Sequence, residues 1–127
     1  MAHLSGEARA SIGADPVTHA LAAAKRWNVC VALKGANTAI ATPHGECWLH
    51  EGGDPGLATS GSGDTLAGLI AGMAARGAST VDAALWGVKL HAMAGAELAQ
   101  RYGPIGYLAR ELSAEIPAVM HRLMDGQ

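Results

Sequence analysis

The run Gly61-Ser62-Gly63-Asp64, leading into Leu66, Ala67, Leu69, Ile70, Ala71, Met73, Ala74 and Ala75, is the feature that most constrains this chain. Gly61 and Gly63 have no Cβ, so the loop can take positive φ and let its backbone approach a ligand closely. The segment after it is apolar on nearly every side, which predicts a buried helix. The unpaired N–H groups at the start of such a helix, with the positive end of its dipole, form a site for an anion, most often a phosphate. Asp64 then stands beside that anion, placed to take a proton. A plain alternative stays open at this point: a glycine loop with an aspartate cap and no chemistry. Gly68 and Gly72, four apart on one helix face, are expected to let another backbone pack closely.

The preceding stretch has α/β character. Asp15-Pro16 is a helix start, and Val17, Ala20, Leu21, Ala24 and Trp27 keep helical spacing, so a helix is expected over about 16–27. Val29–Leu33 is a continuous apolar run that suits a strand buried on both faces. Short strands over 38–42 and 47–50, joined by the Pro43–Glu46 turn, add a hairpin. Further on, Gly77 reads as a helix-ending glycine and Ser79-Thr80-Val81-Asp82 as a capping box with Asp in place of Glu. The next helix should run to about Tyr102 and stop at Gly103-Pro104. Two further helical segments, Tyr107–Leu112 and Pro117–Met124, are expected to be broken at Pro117. The expectation is one α/β domain over 1–127, a short mixed sheet with a hairpin, packed by four or five helices. About three strands among so many helices leave a sheet edge that needs a partner.

With 127 residues, 9 basic and 11 acidic, the chain has room for a core and no basic stripe, which argues against nucleic-acid or membrane-surface binding. Cys30 and Cys47 fall in apolar runs and read as buried reduced thiols. No basic-then-apolar leader opens the sequence, and a cytoplasmic protein is the expectation. Lys34-Gly35-Ala36-Asn37-Thr38 follows the apolar strand, at the strand end where α/β sheets collect ligands. Lys34 can meet a phosphate as a point charge, Gly35 opens the backbone, and Asn37 and Thr38 offer hydrogen bonds; the stretch also suits an ordinary capped turn. The six histidines show no metal-ligand spacing on a helix, so no protein metal site is expected. Asp54 before Pro55 reads as a turn residue, and Arg110, Glu111 and Glu115 as a solvated face.

Taken in order, Lys34–Thr38, Gly53-Asp-Pro-Gly-Leu-Ala-Thr59 and Gly61-Ser-Gly-Asp-Thr-Leu-Ala-Gly68 resemble the ADP-dependent NAD(P)H-hydrate dehydratases. Leu90-His-Ala-Met-Ala-Gly95 and Gly106-Tyr-Leu-Ala-Arg-Glu-Leu112 extend the resemblance, which covers the chain from about residue 28 onward. It implies the C-terminal half of a ribokinase-like domain that returns hydrated NAD(P)H to NAD(P)H, with ADP (or ATP) as phosphoryl donor and Mg2+ on the phosphates. By position it implies nucleotide contacts at Lys34, Gly35, Ala36, Asn37, Thr38 and Gly63. An anion hole over Gly61, Ser62 and Gly63 follows likewise, with Asp64 as both substrate contact and base. Asp54 stands where the family usually has asparagine. The family's substrate histidine, in a Thr-Pro-His-Pro-Gly-Glu motif, has no counterpart, since Met1–Gly6 resembles the stretch just after it. The resemblance therefore implies a homo-oligomer or a missing N-terminal half. A ribokinase-like kinase of the thiazole or pyrimidine type, and an adenine-nucleotide-binding fragment without turnover, are the alternative readings.

Overall fold

The computed structural model describes residues 1–126, in two compact units, Met1–Gly52 and a second from Gly53 onward. In the first unit, two short helices that the sequence pattern did not announce, α1 (Ala2–Ser5) and α2 (Arg9–Ala14), precede α3 (Pro16–Trp27). Asp15 caps α3 by accepting the Thr18 N–H at 3.1 Å, and Pro16 occupies its first turn. The helix ends at Asn28, whose φ of 53° is the left-handed conformation that asparagine tolerates.

Strands β1 (Val31–Leu33), β2 (Thr38–Ala41) and β3 (Cys47–His50) form a sheet in that order. It is antiparallel throughout, not mixed. The physical reason is the short β1–β2 connection, since a parallel neighbour needs a long crossover. β1 is a half-buried edge strand and not the doubly covered one expected from its apolar composition. Every residue of central β2 is buried instead. Ala39 and Ala41 pack against Ala20 and Ala24 of α3, small residues that bring helix and sheet close. Cys30 and Cys47 are free thiols but only half-buried, and the burial they do have pushes both pKa values up.

The second unit begins with a 3₁₀ turn, Pro55–Ala58, and continues through α4 (Ser62–Ala75), α5 (Thr80–Tyr102) and α6 (Ala109–Met124). Its core is Leu57, Leu90, Ala94, Leu98, Tyr107, Leu112, Ile116 and Val119. Ser79 caps α5 by accepting the Asp82 N–H at 3.1 Å and donates its hydroxyl to the Asp82 carboxylate at 2.7 Å. Thus Asp82 answers the cap through the serine hydroxyl. Gly77 and Gly103, with φ of 98° and 86°, follow the ends of α4 and α5 as expected.

Four expectations about these helices fail. Pro117 lies inside one continuous helix, on its exposed face, and does not divide it. Leu112, Ile116 and Val119 form a buried stripe at helical spacing, and that packing outweighs one lost backbone hydrogen bond. Nor is α4 buried all round: only Ser62 and Leu66 are, and Ala67, Gly68, Ala71, Gly72, Ala74 and Ala75 are exposed. A groove of about 440 Å³ runs along it between Gly68, Gly72 and Arg76 on one side and Ser113, Ile116 and Met120 on the other. The close approach foreseen at Gly68 and Gly72 occurs at Gly87, where an added Cβ would lie 2.5 Å from the Ile70 side chain. The face of Arg110, Glu111 and Glu115 is not simply solvated. Glu111 accepts the Leu108 N–H at 2.7 Å, and Glu115 takes Arg101 in a two-bond pair at 2.7 and 3.1 Å.

Candidate functional site

Gly61 precedes α4 with φ of 84°. A side chain in that conformation costs about 1–2 kcal/mol. An added Cβ would meet only Ala109 Cβ, at 3.4 Å, so the backbone angle and not lack of space requires glycine here. From this turn the Ser62 N–H donates back to the Thr59 carbonyl at 3.3 Å, and the Thr65 N–H to the Gly61 carbonyl at 3.1 Å. The N–H groups of Gly63 and Asp64, in the first turn, have no intrahelical acceptor, and no side chain caps the helix. These two are the donors the loop presents, together with the positive end of a 14-residue helix. Gly61, Ser62 and Gly63, the expected anion hole, are placed differently from one another. Gly61 makes the turn, Ser62 is buried with its N–H committed, and Gly63 and Asp64 face outward.

Asp64 is exposed, and among the described residues its carboxylate makes no ion pair or hydrogen bond. An unpaired carboxylate one residue from two oriented N–H donors can take a proton from a group beside a bound anion. Thr65 ties this turn to the start of α6: its hydroxyl lies 3.3 Å from the Gly61 carbonyl and 3.3 Å from that of Ala109, and donates to one at a time.

Upstream, Asp54 accepts the Gly56 N–H at 2.9 Å, which makes it the turn residue its place before Pro55 predicts. The same Oδ1 accepts the Tyr107 hydroxyl at 3.2 Å. Burial, followed by the adjacent Asp54 charge and hydrogen bond, pushes the Tyr107 pKa well above the usual tyrosine value. Gly56 sits under that ring, where a Cβ would lie 2.5 Å from it.

Sequence reasoning missed one pair. His91 of α5, noted in the sequence only within the Leu90–Gly95 stretch, is 3% exposed and meets Ser62, 1% exposed, at the start of α4. Its Nε2 is 3.0 Å from the Ser62 hydroxyl oxygen and 3.0 Å from the Ser62 carbonyl oxygen. The usable signal was the spacing Gly87-His91-Gly95, three residues on one face of α5 with glycine on either side of the imidazole.

In the first unit, Lys34, Gly35, Ala36 and Asn37 form the exposed β1–β2 turn, whereas Thr38 is buried in β2. The Asn37 side chain accepts the Gly52 N–H at 3.3 Å and so ties the β1–β2 turn to the segment after β3. Burial lowers the Lys34 pKa. Among the described residues no group of three or more His, Cys, Asp or Glu is arranged to hold a metal ion. Among the described residues no helix is long and apolar enough to cross a membrane.

A family profile described as NAD(P)H-hydrate dehydratase matches residues 1–118. The ADP-dependent (S)-NAD(P)H-hydrate dehydratase of Xanthomonas campestris is 54% identical over 126 residues, covering 99% of this chain and 44% of that protein. The bifunctional NAD(P)H-hydrate repair enzyme Nnr of Moorella thermoacetica is 41% identical over 125 residues, 98% of this chain and 24% of its own length. Among solved structures, the ADP/ATP-dependent NAD(P)H-hydrate dehydratase of Bacillus subtilis, co-crystallised with ATP and Mg2+, superposes with a TM-score of 0.90 at 32% identity. That match covers 95% of this chain and 44% of the other. A ribokinase-like superfamily protein of Enterococcus faecalis gives a TM-score of 0.73 at 32% identity, over 84% of this chain and 36% of its own. The chain thus spans less than half the length of each of these relatives and corresponds to part of a ribokinase-like domain.

Proposed function

Because the chain belongs to the NAD(P)H-hydrate dehydratase family, we propose that it carries the anion-binding turn and the base of an ADP-dependent dehydratase acting on hydrated NAD(P)H. One observation supports this most directly. The Gly61 turn leaves the N–H groups of Gly63 and Asp64 open at a helix start, with an unpaired carboxylate on the same turn. The donor phosphate would rest on those N–H groups, preorganised before reaction, so charge gathering on the transferred phosphoryl group is met without rearrangement.

In the proposed reaction Asp64 takes the proton from the hydrate's hydroxyl. The hydroxyl oxygen then bonds to the terminal phosphorus of ADP as the bond to AMP breaks. Elimination of the resulting phosphate, with loss of a ring proton, restores the dihydronicotinamide. Lys34, Gly35, Ala36, Asn37 and Thr38 retain, by resemblance, the reading of a nucleotide-contacting turn. Mg2+ would supply charge shielding on the phosphates, and no step is assigned to it. The setting proposed is the cytoplasm. Whether other copies or a further stretch of chain complete the substrate pocket is decided by comparing this chain with a longer form.

The test is recovery of NADH absorbance from its hydrate in the presence of ADP, run beside phosphorylation of an alcohol by ATP. Asp64→Asn is expected to abolish turnover and leave nucleotide affinity within about twofold, since the amide keeps the shape but cannot act as a base. Undiminished turnover in that variant removes Asp64 from the mechanism. Alcohol phosphorylation without dehydration would mark a kinase, and ADP binding with neither reaction a nucleotide-binding fragment.

A further inference from the structure

Ser62 and His91 are, with Tyr107, the buried side chains of the second unit that carry a polar group among the described residues, and they are bonded to each other. Buried polar groups left unpaired cost free energy, so such a pair is kept only where both ends are satisfied. The two glycines flanking His91 explain how it reaches. At Gly87 an added Cβ would lie 2.5 Å from Ile70 of α4, and at Gly95 it would lie 2.7 Å from Leu57 of the 3₁₀ turn. The α5 backbone therefore closes against the elements on both sides of the loop, and the imidazole between them faces the first residue of α4.

The geometry is compatible with two tautomers, and we assign the one with its proton on Nε2, because the Ser62 carbonyl at 3.0 Å can only accept. That leaves the Ser62 hydroxyl oxygen, also at 3.0 Å, to share the same proton as acceptor. Helical spacing pairs this carbonyl with the Leu66 N–H, the position after the Thr65-to-Gly61 bond that opens α4. Gly63 and Asp64, the residues that offer N–H groups and a carboxylate, lie between those two positions.

We infer that His91 is a positioning residue: its protonated Nε2 clamps the Ser62 carbonyl, and so holds the first turn of α4 in the orientation that aims the Gly63 and Asp64 N–H groups at an anion. The inference rests on the nucleotide reading only for the identity of that anion. Flanked by glycines, α4's starting turn has no side-chain cap to hold it, and the clamp from α5 supplies what a local cap does elsewhere. His91 touches neither phosphate nor hydrate in this reading and acts through Ser62.

The experiment uses the full 127-residue chain, with ADP as probe, in three forms: wild type, His91→Leu and His91→Gln. Glutamine carries a neutral N–H at a similar reach, and leucine fills the space without a donor. Imidazole nitrogen shifts of the wild type should show Nε2 protonated; a wild type with Nε2 bare overturns the inference without any variant. By amide hydrogen exchange, Thr65 and Leu66 should exchange about tenfold faster in His91→Leu, with Met73 farther along α4 unchanged and His91→Gln close to wild type. Calorimetric ADP affinity should fall by about tenfold in His91→Leu and recover in His91→Gln. Equal exchange at Thr65 and Leu66 in all three forms refutes the clamp. So does a loss that spreads evenly along α4, or one that glutamine does not rescue. If the wild type binds no ADP, the nucleotide reading falls, while the tautomer and the local exchange still decide the clamp.

Discussion

Replacing Tyr107 by phenylalanine tests how the turn before the Gly61 loop is held. The ring tip is enclosed by two backbones: an added Cβ would lie 2.5 Å from it at Gly56 and 3.0 Å from its hydroxyl at Gly95. Phenylalanine keeps that packing and deletes only the hydrogen bond to Asp54. A bond to a charged acceptor contributes about 1.5–3 kcal/mol. Asp54 is half-buried and keeps its bond from Gly56, so water can replace part of the loss, and the lower end applies. About 1.5 kcal/mol lowers the melting temperature of a chain this size by roughly 6 °C.

The same contact has an alkaline signature. The folded-state pKa of Tyr107 is raised, so unfolded chains release this proton first as pH climbs. Its contribution is complete below the ordinary tyrosine value of 10.0 and is lost as pH rises above it. The loss is on the order of 1 kcal/mol per pH unit. Urea unfolding from pH 8 to 11 should therefore show a steeper alkaline fall in the wild type than in Tyr107→Phe, and Asp54→Asn should fall in between. A Phe variant melting within 1 °C of wild type, or one retaining the full alkaline slope, would refute the assignment.

Other substitutions separate backbone strain from packing. Gly61→Ala has room for its methyl but not the backbone angle, and should cost about 1–2 kcal/mol, read as a lower urea midpoint. In Gly72→Ala the methyl enters open space on an exposed helix face, so stability should rise by up to about 1 kcal/mol. Gly87→Ala gains the same propensity but drives Cβ to 2.5 Å from Ile70, and a net loss of about 1–2 kcal/mol is expected. If both variants shift alike, the packing of α4 on α5 is misassigned. Lys34→Ala should weaken ADP affinity by roughly fivefold through loss of a charge on phosphate; unchanged calorimetric affinity would take Lys34 out of the nucleotide reading.

Signals that work through neighbouring residues were legible in the linear chain. Asp15-Pro16 starts α3, Ser79 and Asp82 start α5, and Gly77 and Gly103 follow helix ends, because capping and left-handed turns are settled within a few residues. The Gly61 turn and the placement of Asp64 on the first turn of α4 belong to the same class. The motif order also pointed to the family.

Burial was not local, and there the linear chain misled. An apolar composition in α4 suggested complete burial, yet burial depends on which neighbours arrive, and only Leu66 and Ser62 find full cover. Val31–Leu33 looked like a central strand but lies at the edge, because a short connection places β2 in the middle. Pro117 sits in an unbroken helix because a stripe of core contacts outweighs one absent hydrogen bond. The bond from His91 to Ser62 joins positions 29 apart, and the Gly87-His91-Gly95 spacing marks the imidazole without encoding its partner. Short-range backbone chemistry determined where helices begin, where they turn, and which carboxylate stands at the loop. Only the tertiary structure decided what each helix covers and what holds the loop, because packing free energy comes from surfaces that distant parts of the chain bring together.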